Sequence, residues 1–244
     1  MKLVLLWMYH DLMDLYGDKG NIETLKYRCA KRNIDLEVRT CSLNQKAEME
    51  DVDIFFMGGG ADKEQNLIYQ DLLSRKKAIQ HLLDKGCQFL LICGGYQLFG
   101  QYYKDQDGKV VNGLSFFPYY TVASDRGHRC IGDVAIEVNL GKEVVQVLGF
   151  ENHGGQTKQV ETPFGRVLSG HGNEYKGSSE GFMNEQVIAT YIHGPLLPKN
   201  PEVADFVLQR ALARKGMTMA LKSLDDEWEN KAKEVMLKRM GLAR

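Results

Sequence analysis

The sequence lacks the cysteine patterns that would indicate disulfide bonds or zinc binding. It contains five cysteines, an odd number, and no Cys-x-x-Cys pair. Disulfide frameworks use even sets of cysteines, and structural zinc sites use closely spaced ligand pairs. We therefore expect neither a disulfide framework nor a metal site, and free thiols fit the reducing cytoplasm. The cysteines are Cys29, Cys41, Cys87, Cys93 and Cys130.

An excess of charge of one sign is absent as well. The 31 Lys and Arg residues and 32 Asp and Glu residues leave a formal net charge of −1. Proteins that bind nucleic acid or anionic membranes usually carry a basic surplus, which this composition lacks. No apolar run approaches the ~20 residues of a membrane-spanning helix. The N-terminal segment Leu3–Trp7 has no basic lead or cleavage site, so we expect a cytoplasmic protein.

The sequence also lacks internal repeats, low-complexity tracts and linkers rich in proline and serine, with only five prolines among its 244 residues. One domain over residues 1–244 is therefore the default prediction. A charged amphipathic stretch that includes Trp228 and Met236 predicts a C-terminal helical tail over residues 217–244. We expect this tail to pack on the domain, although binding to a partner is the alternative.

Apolar runs alternate with helix-like stretches in the first half of the chain. Strands separated by helices predict an α/β fold with parallel pairing and right-handed crossovers. Continuous apolar runs such as Ile54–Met57 are typical of strands covered on both faces. The predicted strands are Lys2–Tyr9, Ile34–Thr40, Val52–Met57 and Cys87–Ile92, and the predicted helices are Asn21–Arg32, Asp62–Lys85 (one long helix or a broken one) and Tyr96–Tyr103.

The pattern changes after Gly113, where short apolar segments are joined by turns rich in Gly and Asn. This arrangement predicts an antiparallel or mixed extension of the sheet. Helical periodicity then returns. The predicted strands here are Gly132–Asn139, Glu143–Phe150, Arg166–Ser169 and Gln186–Ile192, and the predicted helix is Pro201–Lys215.

Cys93 is the strongest candidate for a catalytic residue. It ends the apolar strand Gln88–Ile92, and Gly94 and Gly95 lead directly into a predicted helix. A strand, a sharp turn and a helix form a nucleophile elbow, which exposes the side chain at the carboxyl edge of a sheet. The helix N-terminus favours the thiolate, the form that attacks carbonyl groups. A buried cysteine that packs as a small apolar side chain is the alternative, with about even odds for Cys93 alone.

His193 is the best-placed candidate for the base that a cysteine nucleophile needs. It ends the predicted strand Gln186–Ile192, and Gly194 and Pro195 then force a turn. The carboxyl ends of parallel strands share one edge of the sheet, so His193 is expected beside Cys93. A histidine that only caps a strand by hydrogen bonds is an equally common alternative.

Two further segments carry polar or backbone groups that could bind a substrate. The turn Gly58–Gly60 follows a strand, and one of its N–H groups, with that of Gly94, could form an oxyanion hole. The turn could equally be a tight connection, and it lacks the Gly-Lys-Ser/Thr ending of a phosphate-binding loop. Arg129 could hold a substrate carboxylate in a bidentate pair, although a lone arginine is more often a surface charge.

Together, these segments resemble the class I glutamine amidotransferases, specifically the cobyric-acid-synthase-like branch. The resemblance extends over nearly the whole chain, and the Cys93 elbow is its most specific part. It rests on the segments Gly58–Gly60, Leu91–Gln97, Gly149–Gly154 and Tyr191–Pro195. Within this branch, Leu15–Asn21, Gly58–Gln65 and Arg129–Asp133 look like the amidotransferase subunits of lipid II isoglutaminyl synthases.

The resemblance implies a three-layer, flavodoxin-like α/β domain with a mostly parallel sheet and an antiparallel extension. It also implies hydrolysis of L-glutamine to glutamate and ammonia. In that reaction Cys93 attacks the side-chain amide, and His193 protonates the departing ammonia and then activates water. Arg129 anchors the glutamine carboxylate, and backbone N–H groups near Gly59 and Gly94 hold the oxyanion.

The same resemblance implies that this subunit carries no cofactor. Ammonia would pass within a heterodimer to a synthetase subunit resembling a Mur ligase, which would hold ATP and Mg²⁺. The partner would activate the α-carboxyl group of D-glutamate in lipid II, giving D-isoglutamine for peptidoglycan synthesis. The acceptor would thus be reached through the partner.

One position departs from the pattern of many class I enzymes, which carry a glutamate two residues after the histidine. Pro195 stands there in this chain, and no acid lies immediately beyond it. This leaves His193 without an orienting carboxylate nearby in the sequence. Our hypothesis at this stage is that the partner supplies an Asp or Glu across the interface.

Three other functions remain open from the sequence. The chain could serve a cobyrinate-type amidating synthetase, for which the local chemistry would be identical. It could be a stand-alone γ-glutamyl hydrolase, which would need a complete triad of its own. It could also be a non-catalytic module with a dead site, although the intact Cys93 and His193 count against this.

Overall fold

The computed structural model describes residues 1–125, 127–217 and 220–242, in which strands and helices alternate through the first half. The helices are α1 (Lys19–Ala30), α2 (Asp62–Ser74), α3 (Lys76–Asp84), α4 (Gly94–Phe99), α5 (Leu196–Lys199), α6 (Pro201–Arg214) and α7 (Glu227–Arg239). The strands are β1 (Lys2–Met8), β2 (Asp35–Cys41), β3 (Ile54–Met57), β4 (Gln88–Ile92), β5 (Tyr102–Lys104), β6 (Val110–Asn112), β7 (Tyr120–Ala123), β8 (Cys130–Asn139), β9 (Val144–His153), β10 (Gly155–Lys158), β11 (Gly165–Ser169), β12 (Ser179–Glu180), β13 (Phe182–Met183) and β14 (Val187–Thr190).

A six-stranded sheet with the order β13-β14-β4-β3-β1-β2 forms the centre of the protein. All its pairs are parallel except β13 with β14. Every residue of β3 and β4 is buried, so both faces of these strands are covered. This explains why their sequences are continuously apolar rather than alternating. The prediction of an α/β fold with a mostly parallel sheet is confirmed.

The helices that cover the sheet fall into two groups. Helices α1, α5 and α6 contact one another, whereas α2 contacts α3 and α4. The predicted helix Asp62–Lys85 is in fact two helices that meet at Arg75, whose side chain binds Asp71 at 2.7 Å between Nε and Oδ2. The alternation of strands and helices along the chain therefore produces the layered α/β fold that the sequence predicts.

The antiparallel part differs from the expectation in its organisation. Only β13 extends the central sheet antiparallel, and the remaining strands form two four-stranded sheets of their own, β10-β7-β5-β6 and β12-β11-β8-β9. The predicted helix Tyr96–Tyr103 is also shorter, because Gly100 takes an extended conformation after α4. A Cβ atom at Gly100 would lie 2.6 Å from the Tyr119 ring, so the chain approaches Tyr119 closely at this glycine. Helix α4 ends there, and the chain continues into β5.

The C-terminal tail contains helix α7, which packs on the body of the protein. Leu237 is buried against Ala135 and Leu148, and the Lys233 ammonium lies 2.8 Å from Glu202. Trp228, placed on the apolar stripe by the sequence pattern, is 77% exposed. Across the described ranges, no helix has the length and apolar character needed to span a membrane.

Arg28 joins α1 to the C-terminal half of the chain. Its side chain is buried, with Nε 2.6 Å from Asp205 and Nη1 2.5 Å from Asp226. Asp205 also pairs with Arg32 at 2.6 Å, whereas Asp226 has only Arg28 as an ion-pair partner among the residues the structure describes. The loss of Arg28 would thus leave the Asp226 carboxylate without its ion-pair partner. It would also remove a contact between α1 and elements that are distant from it in the sequence.

We expect Arg28→Ala to lower the free energy of unfolding by about 2 kcal/mol, because it leaves the half-buried carboxylate of Asp226 unpaired and removes one of the two cations that contact Asp205. Urea denaturation monitored by circular dichroism measures this change. Lys26→Ala is the matched control, because the pair of Lys26 with Glu23 on the same helix is exposed. It should change the stability by less than about 0.5 kcal/mol. Equal losses in the two variants would contradict a structural role for the Arg28 pairs.

Candidate active site

Cys93 lies at the point where β4 turns into α4. Its backbone has φ 49° and ψ −100°, a strained conformation for a residue with a Cβ atom. The Cys93 N–H donates to Thr190 O at 2.8 Å, and a Cβ atom at Gly95 would lie 2.7 Å from Met57 O. Close backbone approach to β3 and β14 thus holds the elbow that the sequence predicts.

The Cys93 side chain lines a cleft of about 690 Å³. The side chain itself is 6% exposed, at the floor of this cleft. Cys93 immediately precedes α4, so it adjoins the N–H groups of the helix start, of which that of Gly95 donates to Gly58 O at 3.3 Å. This position gives the Cys93 sulfur access to a bound ligand.

His193 follows β14 and is fully buried beside Cys93. Its backbone exchanges two hydrogen bonds with Phe150, at 2.7 and 3.0 Å, which fix the strand end. A Cβ atom at Gly59 would lie 2.7 Å from His193 Cε1 and 3.3 Å from Cys93 Cβ, so the imidazole edge and the cysteine meet at this glycine. Nε2 of His193 is buried and has no hydrogen-bond partner within the described residues.

The carboxylate of Asp18 faces the other ring nitrogen of His193. Oδ1 lies 3.3 Å from Nδ1, and both side chains are fully buried. Burial lowers the pKa of His193, but the negative charge of Cys93 and the hydrogen bond with Asp18 outweigh it and raise the pKa to about 10. Cys93, His193 and Asp18 therefore have the arrangement of a nucleophile, a base and an orienting acid.

This arrangement gives His193 a carboxylate from a distant part of its own chain, whereas the sequence offered none close to it and led to the hypothesis of an acid supplied by the partner. Asp18 lies in the segment between β1 and α1, which reaches the carboxyl edge of the sheet and places it beside His193. Leu15–Asn21 is one of the segments that carry the family resemblance, but that resemblance alone assigns no role to Asp18. The available signal was its position after the first strand, because the ends of parallel strands share one edge.

Gly59 has a different backbone role from the predicted one. Its N–H donates to Oδ2 of Asp18 at 2.7 Å, so this amide is occupied by the carboxylate and is not a free oxyanion donor. Gly60, the next residue of the turn, lines the cleft with Cys93. Gly94, the other predicted donor, is the first residue of α4.

Arg129 lies on the wall of the same cleft and is exposed. Its Nε donates to Asn152 Oδ1 at 3.0 Å, and Asn152 Nδ2 donates to Tyr16 OH at 2.5 Å. The Tyr16 ring packs edge-on against the His193 imidazole, with 5.0 Å between ring centroids. Arg129 and His193 are therefore connected through two side chains that sequence reasoning did not single out.

Two other histidines, His153 and His128, lie in different environments. His153 is buried, lines the cleft and stacks on Tyr191, with 3.7 Å between ring centroids. His128 is exposed and contacts Asp125, with 2.6 Å between Nδ1 and Oδ1. Only His153 of these two therefore faces the candidate site.

The four other cysteines are unpaired and buried. Burial raises the pKa of Cys29 to about 12 and that of Cys130 to about 11, which disfavours their thiolates. Within the described part of the chain, no group of three His, Cys, Asp or Glu residues is placed to hold a metal ion. Cys93 is thus the thiol whose position suits nucleophilic chemistry.

The model of the CobB/CobQ-like glutamine amidotransferase domain matches residues 5–201. The chain belongs to this family. The recognition made from the sequence segments is confirmed, and so is the assignment to the glutamine-hydrolysing amidotransferase enzymes.

Several individual proteins resemble this amidotransferase. The lipid II isoglutaminyl synthase (glutamine-hydrolyzing) subunit GatD of Staphylococcus aureus is 38% identical over 237 residues, 96% of each chain. The subunit of the same name from Streptococcus pneumoniae is 37% identical over 222 residues, covering 90% of this chain and 84% of its own. A probable cobyric acid synthase of Methanococcus vannielii is 29% identical over 162 residues, 63% of this chain and 32% of its own. A solved glutamine amidotransferase has 11% identity and a TM-score of 0.48, covering 86% of this chain and 98% of that one.

We expect Asp18→Asn to lower kcat for glutamine hydrolysis by about 10²- to 10⁴-fold, because the amide no longer favours the imidazolium or fixes its tautomer. The loss of the negative charge should lower the pKa of His193 from its raised value, so the alkaline limb of the kcat/KM profile should move to lower pH. Steady-state ammonia release across a pH series measures both effects.

Asp14→Asn is the matched control, because Asp14 lies in the same segment and its Oδ1 accepts the Lys19 N–H at 2.6 Å instead of facing His193. It should keep the wild-type pH profile. An Asp18→Asn enzyme with unchanged kcat and an unmoved alkaline limb would contradict an orienting role for Asp18.

Proposed function

We propose that this chain is the glutaminase subunit of a lipid II isoglutaminyl synthase and that Cys93 is its nucleophile. The strongest support for the cell-wall role is the similarity to GatD subunits, one of which aligns over 96% of both chains. The strongest support for the chemistry is the contact of Asp18 with His193, 3.3 Å apart, beside the Cys93 elbow.

In the proposed reaction, the Cys93 thiolate attacks the side-chain amide carbon of glutamine and forms a tetrahedral intermediate. The His193 imidazolium donates its Nε2 proton to the amide nitrogen, the carbon–nitrogen bond breaks, and ammonia leaves a glutamyl thioester. Neutral His193 then takes a proton from water, which attacks the thioester. Glutamate, the thiolate and the imidazolium are regenerated, while Asp18 stabilises the imidazolium in both halves.

The oxyanion of the tetrahedral intermediate needs backbone donors near Cys93. We assign Gly94 N–H, at the start of α4, and the N–H of Gly60, which lines the cleft. Gly59 instead supports the site by binding Asp18. The proposed oxyanion hole thus still combines an N–H group of the glycine turn with that of Gly94, but the turn residue is Gly60 instead of Gly59.

Arg129 is proposed to hold the α-carboxylate of glutamine. We expect Arg129→Ala to raise KM by about 10- to 100-fold with a smaller change in kcat, since hydrogen bonds to charged groups contribute about 1.5–3 kcal/mol. Steady-state kinetics with L-glutamine measure this. Arg166→Ala is the control, because Arg166 pairs with Glu137 outside the cleft. An unchanged KM in Arg129→Ala would contradict the anchor role.

The ammonia is proposed to pass to a Mur-ligase-like partner in a heterodimer. That partner would bind ATP and Mg²⁺ and activate the α-carboxyl group of D-glutamate in lipid II, which ammonia converts to D-isoglutamine. The subunit naming of the GatD relatives supports the existence of such a partner. A cobyrinate-type acceptor receives weaker support, because the chain spans only 32% of the cobyric acid synthase it resembles.

A stand-alone γ-glutamyl hydrolase is the second candidate, favoured by one observation. Asp18 gives His193 an acid from its own chain, so the argument that a missing acid excludes independent turnover no longer holds. In this proposal His193 is oriented by Asp18 and needs no carboxylate from the partner. Activation by the partner would then act through ordering of the site rather than through a new carboxylate.

We expect the purified chain to release ammonia from L-glutamine through Cys93. The rate should rise when the chain is co-expressed with the proposed Mur-ligase-like partner. Cys93→Ala should abolish turnover and leave the fold unchanged, since only the Sγ atom is lost from a cleft-facing side chain. Cys130→Ala is the matched control and should keep full activity. Equal rates with and without the partner would favour the hydrolase, and residual activity in Cys93→Ala would contradict the nucleophile.

A further inference from the structure

The cleft is lined by a carboxylate that has no hydrogen-bond or ion-pair partner in the part of the chain that the structure describes. Asp62 is the first residue of α2 and lines the cleft together with Cys93 and Arg129. Over the described ranges, no ion pair or hydrogen bond involves its carboxylate. Burial raises the pKa of Asp62, and the positive charge of Arg129 opposes this rise. Asp62 is exposed to the cleft, and its carboxylate interacts with the charge of the arginine that lines the same cleft.

The guanidinium of Arg129 has unused hydrogen-bonding capacity as well. Its Nε is occupied by Asn152, but the two terminal nitrogens have no acceptor among the residues that the structure describes. A guanidinium fork of this kind matches a carboxylate. The cleft thus offers one unpaired negative group and one incompletely paired positive group, near the same nucleophile.

Other acidic residues of the cleft are less suited to bind a cation. Asp105 Oδ1 accepts the N–H groups of Asp107 and Lys109, at 3.0 and 2.8 Å, and so holds its own turn together. Asp107 lies exposed in that turn. Tyr103 also lines the cleft. Burial raises its pKa to about 12, and the charges of Asp62, Asp105, Arg129 and Cys93 all act on it.

We propose that Asp62 binds the α-ammonium group of glutamine while Arg129 binds its α-carboxylate. The proposal rests on the glutaminase function and the Arg129 anchor proposed above, and it adds the residue that selects a free amino acid. Both charged groups of the ligand branch from one carbon, so the opposite charges of Asp62 and Arg129, which line one cleft, orient it. Its side chain then extends toward Cys93.

Such recognition would restrict which primary amides the nucleophile attacks. An amide that lacks a free ammonium group would leave Asp62 unpaired, and an acylated nitrogen would add bulk and remove the charge. A primary amide formed on the acceptor by the synthetase partner belongs to this rejected class. Asp62 would therefore keep the glutaminase from hydrolysing the product of the complex.

The test compares L-glutamine with glutaramate, which is glutamine without its α-amino group. Wild-type kcat/KM should be about 10- to 100-fold lower for glutaramate, as expected for the loss of one charge-assisted contact. Asp62→Asn should lower kcat/KM for L-glutamine by a similar factor and leave that for glutaramate nearly unchanged. The preference for glutamine should therefore collapse.

Asp107→Asn is the matched control, because it removes the same charge from the rim of the same cleft. It should keep the wild-type preference. A preference retained by Asp62→Asn, or lost equally in Asp107→Asn, would overturn the specific role of Asp62 and leave the glutaminase function standing. Protection of Cys93 from iodoacetamide by each ligand, monitored by mass spectrometry, gives the same comparison without turnover.

The two proposals fail in different ways in these assays. If L-glutamine is neither hydrolysed by the wild-type chain nor protective of Cys93, the proposed function is wrong and the role of Asp62 falls with it. If L-glutamine is hydrolysed through Cys93 but the preference over glutaramate is absent in the wild-type chain, only the Asp62 proposal is wrong.

Discussion

The buried carboxylate of Asp18 is the contact on which the reactive edge of this protein depends. One oxygen faces His193 Nδ1 at 3.3 Å, and the other accepts the Gly59 N–H at 2.7 Å. A buried carboxylate is stable only when its oxygens are satisfied, so these two contacts are required together. They connect the segment after β1, the turn after β3 and the end of β14. A side chain at Gly59 would meet His193 Cε1 at 2.7 Å, so the absence of a Cβ atom is as necessary as the carboxylate.

The strained backbone of Cys93 is the second constraint, and the sheet supplies what holds it. A non-glycine residue at φ 49° persists only when its surroundings determine its position. Here the Cys93 N–H is bonded to Thr190 O, and Gly95 packs directly on Met57 O. Neighbouring parallel strands therefore fix the nucleophile from both sides. The same neighbours end in the turn that binds Asp18 and in the strand that carries His193, so the fold orders all three groups at once.

The sequence was sufficient to predict the parallel strands and the meeting of Cys93 with His193, because both follow from local patterns. Apolar runs mark β3, β4 and β14, and strand ends of a parallel sheet share an edge. Asp18 was missed because its partner lies 175 positions away, and no local spacing encodes such a contact. An acid beyond Pro195 would be close to His193 in the sequence, whereas the sheet brings distant strand ends together in space. The two separate antiparallel sheets were missed for the same reason, since alternation predicts strands but not their partners.

Recognition and chemistry occupy different environments in this site. The catalytic groups are buried, where low polarity strengthens the interaction of His193 with Asp18 and Cys93. The charges of Arg129 and Asp62 lie in the open cleft, where a charged ligand enters with less desolvation. Tyr16 joins the two regions, because its ring covers His193 and its hydroxyl accepts a hydrogen bond from Asn152, which in turn binds Arg129. A carboxylate bound at Arg129 would therefore order Asn152 and, through it, the Tyr16 ring that covers the imidazole. Substrate binding and the exclusion of water from the imidazole would then depend on the same series of contacts.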